Sequence, residues 1–194
     1  IIGGGFTGLA AAYYLQKKGY EITLIEKDRE PGGLAVGYKK KKWSWSLEKH
    51  YHHFFTNDND IFRLSKEIGH KVIVKRPKTS VFVGEEIIQL DSPAKVLTFK
   101  KLSHVENLRM AATLRLIRYN PFWEVLEKYK TTSILQKMMG KKAYQMIWEP
   151  QLVGKFGKEA NVVSLAWFWA RIKKRTTKLA YPEKGFLSLA KHLL

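Results

Sequence analysis

The first 25 residues alternate between apolar blocks and short polar breaks in the order expected of a strand, a helix and a second strand. Ile1 and Ile2 precede a glycine-rich turn, residues 9–15 form an apolar block, and residues 20–25 are a short segment rich in β-branched side chains. Lys17, Lys18 and Gly19 then supply positive charge and a glycine, both typical of a helix end. The pattern predicts a βαβ unit.

The apolar period changes several times after this unit. Residues 36–47 show strand-like alternation around four consecutive lysines, which we expect at a solvated hairpin tip. Residues 60–68 predict a helix that ends at Gly69. Three short apolar runs follow at residues 72–74, 80–83 and 87–90, and we expect them to pair as one small antiparallel sheet.

From residue 92 onward the pattern is helical. Helices are predicted over residues 103–119, 121–129, 131–139, 141–148 and 165–174, with a break at Glu149-Pro150. The apolar positions of the first of them recur at helical spacing and comprise Val105, Leu108, Ala112, Leu116 and Tyr119. We expect this stripe to face the core and the three intervening arginines to form a wet side, and a helix lying on a membrane surface is the alternative.

Three glycines carry the first chemical signal. Gly3, Gly5 and Gly8 have the G-x-G-x-x-G spacing with which a strand turns into a helix around a dinucleotide pyrophosphate. Glu26 follows the second predicted strand, 18 residues after Gly8, where an acid can accept both ribose hydroxyls. Gly32-Gly33 would let backbone amides approach the same cofactor, and an ordinary Pro-Gly turn is the alternative.

A second candidate site lies in residues 48–55, the densest cluster of titratable and aromatic side chains. On an extended segment His50 and His52 face one way and His53 the other, and no second ligand cluster is visible, so metal binding is disfavoured. We interpret His52 and His53 as lining a cofactor or substrate cavity. A purely structural role is the alternative.

Composition adds one unusual property, a formal net charge of +18 over 194 residues. This charge favours anionic partners, whether nucleotide phosphates, lipid headgroups or nucleic acid. The lysines are spread along the chain without a nucleic-acid-binding module, so we expect no nucleic-acid partner.

Cysteine is absent from the chain, and this absence favours a reducing, cytoplasmic location. No apolar run is long enough to span a bilayer, and peripheral membrane contact stays open.

Residues 2–12, 25–27 and 32–34 together resemble the FAD-binding amino terminus of the flavin amine oxidase, protoporphyrinogen oxidase and phytoene desaturase superfamily. The six-residue step from Glu26 to Gly32 matches the same superfamily. Further segments resemble bacterial protoporphyrinogen-oxidase-like or amine-oxidase-domain proteins, namely residues 47–48, 51–55, 148–150, 155–157, 170–171 and 181–182.

The resemblance implies an α/β protein with a Rossmann-like FAD-binding unit of the glutathione-reductase type, interrupted by a mostly helical α+β substrate domain. The expected boundaries are 1–56 for the FAD unit, 57–180 for the substrate domain and 181–194 for the return to the FAD unit. The chain starts inside a predicted strand without Met and ends on an apolar segment, so we expect later sequence to complete the flavin site.

The resemblance also implies individual cofactor contacts. Gly3, Gly5, Phe6, Thr7 and Gly8 would face the pyrophosphate, Glu26 the adenosine ribose, and Gly32 with Gly33 the segment near the flavin phosphate. Lys27 and Leu34 are the remaining expected cofactor-binding residues. Leu34 stands where many amine oxidases have arginine, which disfavours an amine oxidase proper.

The leading hypothesis is a FAD-dependent oxidoreductase that removes a hydride from a C–H or C–N bond of a small-molecule substrate, for which a bulky and apolar compound is one option. No catalytic residue is assigned, because the cofactor supplies the chemistry in many such folds. The alternatives are a flavin-dependent nucleotide-sugar mutase, an NAD-binding dehydrogenase and a non-catalytic membrane-surface protein. Glu26 disfavours a cofactor with a 2′-phosphate.

Overall fold

The computed structural model describes residues 1–194, which form two compact units. Unit 1 contains Ile1–Arg76 and Lys178–Leu194, and unit 2 is the continuous stretch Pro77–Thr177. These limits differ from the expected boundaries after residues 56 and 180, because the helix and strand of residues 57–76 belong to unit 1. The assignment of FAD and substrate roles to the two parts stays a prediction.

Unit 1 opens with the expected glycine turn and helix. Helix α1 (Phe6–Lys17) ends before Gly19, whose φ of 87° suits a glycine. The expected second strand is wrong over most of residues 20–25, since only Ile25 forms a β-bridge, parallel to Ile2. The pairing consists of two hydrogen bonds, from the N–H of Ile25 to the carbonyl of Ile1 and from the N–H of Gly3 to the carbonyl of Ile25.

The rest of unit 1 is built from short strands and two helices. Strands β1 (Gly37–Tyr38) and β2 (Leu47–Glu48) form an antiparallel pair, and the exposed lysines at residues 39–42 lie between them, as expected. Strand β3 (Phe54–Phe55) precedes helix α2 (Asn59–Glu67) and strand β4 (Val72–Lys75).

Strand β4 pairs differently from the prediction. It is antiparallel to β7 (Leu179–Pro182), which also pairs with β3, in the order β3-β7-β4. Strands β5 (Ser80–Val83) and β6 (Glu86–Gln89) form a separate hairpin. The expected single sheet of three runs is therefore wrong, because the partner of β4 lies about a hundred residues later. Helix α10 (Phe186–His192) follows β7 and packs Ala190 against Leu9 and Leu64.

Unit 2 begins with the β5–β6 hairpin, whose turn residues Gly84 and Glu85 both have positive φ angles of 54° and 67°, typical of a type I′ turn. Helical segments follow: α3 (Pro93–Leu97), α4 (His104–Tyr119), α5 (Trp123–Leu126), α6 (Thr131–Met139), α7 (Lys141–Ala143), a π-helical turn at Tyr144–Trp148, α8 (Glu149–Phe156), a 3₁₀ turn at Gly157–Asn161 and α9 (Leu165–Lys174). The break expected at Glu149-Pro150 is wrong, because the helical backbone continues from the π-helical turn into α8, and the side-chain amide of Gln151 donates to the carbonyl of Ile147 at 2.9 Å.

The core of unit 2 forms around the face of α4 opposite to the predicted one. Met110 and Ile117 are buried with Leu135 and Phe168, whereas the predicted stripe, apart from the small Ala112, is more than 60% exposed. Hydrophobic residues occur on both faces of α4, so spacing alone does not select the buried one. Packing against α6 and α9 does, and on the buried face Asn107 donates to the carbonyl of Phe99 at 2.9 Å.

The arginines of α4 are also placed differently from the expected wet side. Arg109 donates to the carbonyls of Lys137 and Met138, and Arg118 donates to those of Ile172 and Arg175. These carbonyls lie at the carboxyl ends of α6 and α9, where a cation complements the helix dipole. Two of the three arginines therefore join helices of the unit.

Candidate functional site

The glycine turn before α1 contains two glycines that the fold requires and one that it does not. Gly3 has a φ of 97°, and a Cβ on Gly8 would overlap the carbonyl oxygen of Gly3. Gly5 has an ordinary φ of −69°, and the nearest atom to an added Cβ is the Cα of Gly33 at 3.8 Å. Nothing in unit 1 fills the space over Gly5, so a ligand would explain this glycine.

The start of α1 faces this open space. Its N-cap is Gly5, which has no side chain to cap the helix, and the first helical bond runs from the N–H of Leu9 to the carbonyl of Gly5 at 2.9 Å. The N–H groups of Phe6, Thr7 and Gly8 therefore have no intrahelical acceptor. Together with the helix dipole they form a site suited to a phosphate group.

Glu26 lies directly beside the turn. Its Oε2 accepts a hydrogen bond from the N–H of Gly4 at 2.6 Å, and its Oε1 accepts one from the N–H of Asp28 at 2.9 Å. These backbone bonds, first that of Asp28 and then that of Gly4, lower the pKa of the Glu26 carboxyl group. The carboxylate is thus held ionised, and each oxygen retains a lone pair for a ribose hydroxyl.

Gly4 was not among the predicted site residues, and the structure shows why it is a glycine. A Cβ on Gly4 would lie 2.9 Å from Oε2 of Glu26. This contact would displace the carboxylate from the Gly4 N–H. The spacing motif offered no signal for this position, because the middle residues of the fingerprint are unrestricted.

Gly32 and Gly33 lie against the glycine turn. The N–H of Gly32 donates to the carbonyl of Gly4 at 2.8 Å, and Gly32 forms a parallel bridge with Gly5. Both glycines have positive φ angles, 123° and 57°, and a Cβ on Gly33 would lie 3.1 Å from the Cα of Gly5. The structure therefore brings together three of the predicted segments, the fingerprint turn, Glu26 and the Gly-Gly pair.

The other predicted cofactor residues surround this centre. Thr7 and Lys27 are exposed, and Leu34 is 77% exposed in the 3₁₀ turn Gly33–Ala35. Phe6 turns its ring inward, edge-on to Phe186 with ring centroids 5.9 Å apart. Only the backbone of Phe6 is therefore directed to the open side of the turn.

The two predicted cavity histidines belong to the same unit, on an aromatic cluster around Phe186. His52 packs on Phe186 at 5.8 Å, and His53 lies between Tyr51 and Phe55 at 5.1 and 4.9 Å. Nδ1 of His52 donates to the carbonyl of His50 at 2.6 Å, so Nε2 is the acceptor in the neutral ring. Because Phe6 also packs on Phe186, the cluster links His52 to the start of α1.

Glu48 and Tyr181 are the polar pair at the edge of this cluster, and sequence reasoning gave neither a role. Glu48 accepts a hydrogen bond from the hydroxyl of Tyr181 at 2.6 Å and one from the N–H of Phe186 at 3.0 Å. Burial and the bond to the Glu48 carboxylate raise the pKa of the Tyr181 hydroxyl. The pair orients Phe186 and thereby the surface under His52.

No group of three or more His, Cys, Asp or Glu side chains is placed to hold a metal ion, and the structure contains no helix with the length and hydropathy needed to span a bilayer.

Comparisons with known proteins agree with this geometry. Residues 1–68 match the family model of the NAD(P)-binding Rossmann-like domain. The match covers about a third of the chain, and the likeness is to a Rossmann-like nucleotide-binding domain. The carotenoid φ-ring synthase of Chlorobaculum tepidum is 25% identical over 137 residues, which cover 67% of this chain and 21% of that protein. An L-amino-acid oxidase of Crotalus adamanteus is 42% identical over 47 residues, or 24% of this chain and 9% of that protein.

Solved structures extend the likeness in fold to 99% of the chain. A protein from Exiguobacterium sp. 255-15, assigned as a protoporphyrinogen oxidase, superposes with a TM-score of 0.63 at 19% identity and is covered over 49% of its length. Reduced UDP-galactopyranose mutase superposes with a TM-score of 0.69 at 16% identity and 45% coverage. The chain spans about half the length of these proteins, 21% of the carotenoid φ-ring synthase and 9% of the L-amino-acid oxidase. The predicted resemblance to the flavin amine oxidase and protoporphyrinogen oxidase superfamily is confirmed.

Proposed function

We propose that unit 1 binds the ADP portion of FAD and belongs to a flavin-dependent oxidoreductase that takes a hydride from a C–H or C–N bond. The observation that carries the proposal is the convergence of the open glycine turn, the ionised Glu26 and the Gly32-Gly33 pair in one place. An isolated G-x-G-x-x-G turn occurs with several dinucleotides. The resemblance of residues 2–34 to the FAD-binding amino terminus of flavin amine oxidases, together with the similarity to an L-amino-acid oxidase, favours FAD.

The residues present fit the cofactor. The space over Gly5 would admit a pyrophosphate, and the N–H groups of Phe6, Thr7 and Gly8 would donate to it. Glu26 would accept the ribose hydroxyls, and Gly32 with Gly33 would present backbone without side chains. The exposed Lys27 and Leu34 would border the site. When bound, the flavin would supply the hydride acceptor.

The substrate-facing part of the proposal rests on the cluster around Phe186. Its rings would give a bulky, apolar substrate a surface to pack on. His52 would orient the substrate through Nε2, because Nδ1 is occupied by the carbonyl of His50. His53 would border the same cavity. Unit 2, inserted between Arg76 and Lys178, would contribute the substrate domain.

Direct binding tests the cofactor assignment. We expect the purified protein at its natural length to carry flavin absorbance or to gain it on addition of FAD, and to bind FAD more tightly than NAD⁺. NADP⁺ should bind weakest, because its 2′-phosphate would meet the Glu26 carboxylate. A protein that binds NAD⁺ and not FAD would be a dehydrogenase and would refute the proposal.

The variant Gly5→Val separates the cofactor role of this glycine from its structural role. Because a Cβ at Gly5 meets no atom within 3.4 Å, we expect the fold to survive while FAD retention is lost. The matched control is Gly154→Val in α8, where a Cβ also meets open space and which belongs to unit 2. Thermal unfolding would report the fold of both variants. Unchanged FAD retention by Gly5→Val would contradict the placement of the pyrophosphate.

A flavin-dependent nucleotide-sugar isomerase is the second candidate, favoured by the likeness in fold to UDP-galactopyranose mutase. The two candidates differ in whether the substrate is oxidised: the isomerase reaction has no net oxidation, whereas the oxidoreductase transfers electrons from the substrate to the flavin. Turnover of a UDP-sugar by reduced protein without an electron acceptor would support the isomerase, whereas substrate-dependent bleaching of the flavin under anaerobic conditions would support the oxidoreductase.

A further inference from the structure

Helix α10 lies against the candidate cofactor site from the other end of the chain. Phe186 at its start packs edge-on to Phe6, the first residue of α1, with ring centroids 5.9 Å apart. Ala190 lies beside Gly32, where an added Cβ would approach the Cβ of Ala190 to 3.8 Å. Both residues of α10 are buried. The helix therefore contacts two of the three segments that form the site, although the whole of unit 2 separates it from them in the sequence.

A third contact of α10 is an ion pair with the residues that lead to the Gly-Gly pair. Nζ of Lys191 lies 2.7 Å from Oε2 of Glu30, and both side chains are about half exposed. Glu30 is followed by the buried Pro31 and Gly32, so the ion pair acts where the chain enters the candidate site. An ion pair at this exposure contributes little to global stability. We therefore expect its effect on the position of this segment and not on whether unit 1 folds.

The Gly32-Gly33 segment depends on such contacts because it has no side chains of its own to pack. Its N–H at Gly32 donates to the carbonyl of Gly4 at 2.8 Å, and both glycines have positive φ angles. Glycine loses more conformational freedom on folding than any other residue, so two in succession are costly to hold in one conformation. A segment that is fixed before its ligand arrives has a lower entropic cost of binding. Ala190 and Lys191 are placed to supply this fixation from α10.

We propose that Lys191 is a positioning residue of the cofactor site, which acts through Glu30 to hold the Gly32-Gly33 segment against the glycine turn in the conformation that accepts the dinucleotide. Lys191 is assigned no direct contact with the cofactor. The functional consequence rests on the proposed binding of FAD, whereas the positioning itself is a property of the ligand-free chain. The proposal places a functional residue of the site after unit 2, in the part of unit 1 that begins at Lys178.

Hydrogen–deuterium exchange of the protein at its natural length, freed of cofactor, tests the positioning directly. We expect Lys191→Met to speed the exchange of the hydrogen-bonded amides in residues 32–36 about fivefold, because the segment loses its ion pair to α10. The charge reversal Lys191→Glu/Glu30→Lys restores an ion pair and should restore slow exchange. Lys17→Met is the matched control: it removes the pair with Glu67 at the far end of α1 and should leave residues 32–36 unchanged.

FAD binding gives the second measurement. Lys191→Met should raise the dissociation constant of FAD about fivefold with an unchanged melting temperature, and the charge-reversed pair should bind FAD like the unchanged protein.

Three outcomes would overturn the proposal. Residues 32–36 could exchange equally fast in Lys191→Met and the unchanged protein, or the charge reversal could fail to restore slow exchange. The dissociation constant of FAD could also stay the same despite faster exchange. The exchange measurement needs no FAD, so an unchanged protein that binds no FAD would refute the proposed function alone, and the exchange rates would still decide whether Lys191 positions the segment.

Discussion

Glu48 connects the amino-terminal and carboxyl-terminal segments of unit 1 through hydrogen bonds. It accepts hydrogen bonds from Tyr181 and Phe186, and a Cβ on Gly185 would lie 3.4 Å from its Oε1. The neighbouring residues of Glu48 in the sequence do not indicate its hydrogen-bond partners. Its partners lie 133 and 138 residues later, so a one-dimensional pattern contains no information about them. The placement of Gly3, Gly8 and Glu26 around one turn was predictable, because it follows from a motif within 26 residues.

We expect Glu48→Ala to lower the free energy of unfolding by about 2 kcal/mol, because it removes a charge-assisted bond and leaves the Tyr181 hydroxyl without its acceptor. The control is Glu30→Ala, which removes the half-exposed ion pair with Lys191 and should cost less than about 1 kcal/mol. Urea unfolding measures both. Equal effects would show that the bonds of Glu48 contribute no more than a surface pair.

The His70–His192 contact predicts a pH dependence of stability. His70 is 8% exposed, its Nδ1 lies 3.0 Å from Nδ1 of His192, and its Nε2 donates to the carbonyl of Glu183. Burial lowers the pKa of His70 below its usual value of 6.5. At His70 the unfolded chain therefore binds a proton more readily than the folded protein does. The free energy of unfolding is unaffected by His70 above pH 6.5 and decreases as the pH falls below this value.

The charged groups around this pair modify the size of the effect. The Glu183 carboxylate, which pairs with Lys71 at 2.9 Å, opposes the lowered pKa of His70, and Lys184 reinforces it. We expect the melting temperature to fall between pH 7.5 and 5.5, and to fall less in His70→Gln, which carries no titratable ring. Identical pH profiles of the two proteins would exclude His70 as the cause.

At the scale of elements, the predictions were correct where residues close in sequence determine the structure. They were wrong where tertiary packing decides which strand pairs with which, or which face of a helix is buried. The β5–β6 hairpin followed from Gly84 and the apolar runs on either side. Strand β4 was predicted as a strand but not with its partner, because the pairing with β7 depends on a distant segment. The extent of α4 was predicted closely, whereas its buried face was not, since hydrophobic side chains occupy both faces.

The assignment of the buried face of α4 is open to a direct test. Met110→Ala should lower the free energy of unfolding by about 2–5 kcal/mol, because Met110 is 1% exposed in the core of unit 2. Leu108→Ala, two residues earlier on the exposed face of α4, should change the free energy of unfolding by no more than about 0.5 kcal/mol. A larger effect of Leu108→Ala than of Met110→Ala would show that the buried face is the one that the spacing of apolar residues predicted.

At the scale of the whole molecule, the chain leaves unit 1 after Arg76 and returns at Lys178. Within unit 1 the residues that flank these crossing points are adjacent, since Lys75 of β4 is the direct partner of Leu179 of β7. The sequence predicted an interrupted nucleotide-binding unit from the order of its elements. It could not place the crossing points, because residues 57–76 carry no signal that distinguishes a helix and strand of one unit from those of the other.

This adjacency predicts that unit 1 folds without unit 2. Replacement of Pro77–Thr177 by Asn-Gly would join Arg76 to Lys178 through a two-residue turn of the type I′ class, which suits the antiparallel register of β4 and β7. The small core around Leu9, Leu64 and Leu193 lies entirely within unit 1. We expect the shortened protein to unfold cooperatively on heating and to lose that transition in Leu9→Ala, because Leu9 is fully buried there. If the circular dichroism spectrum of the shortened protein is that of an unfolded chain, unit 1 depends on unit 2 for its stability.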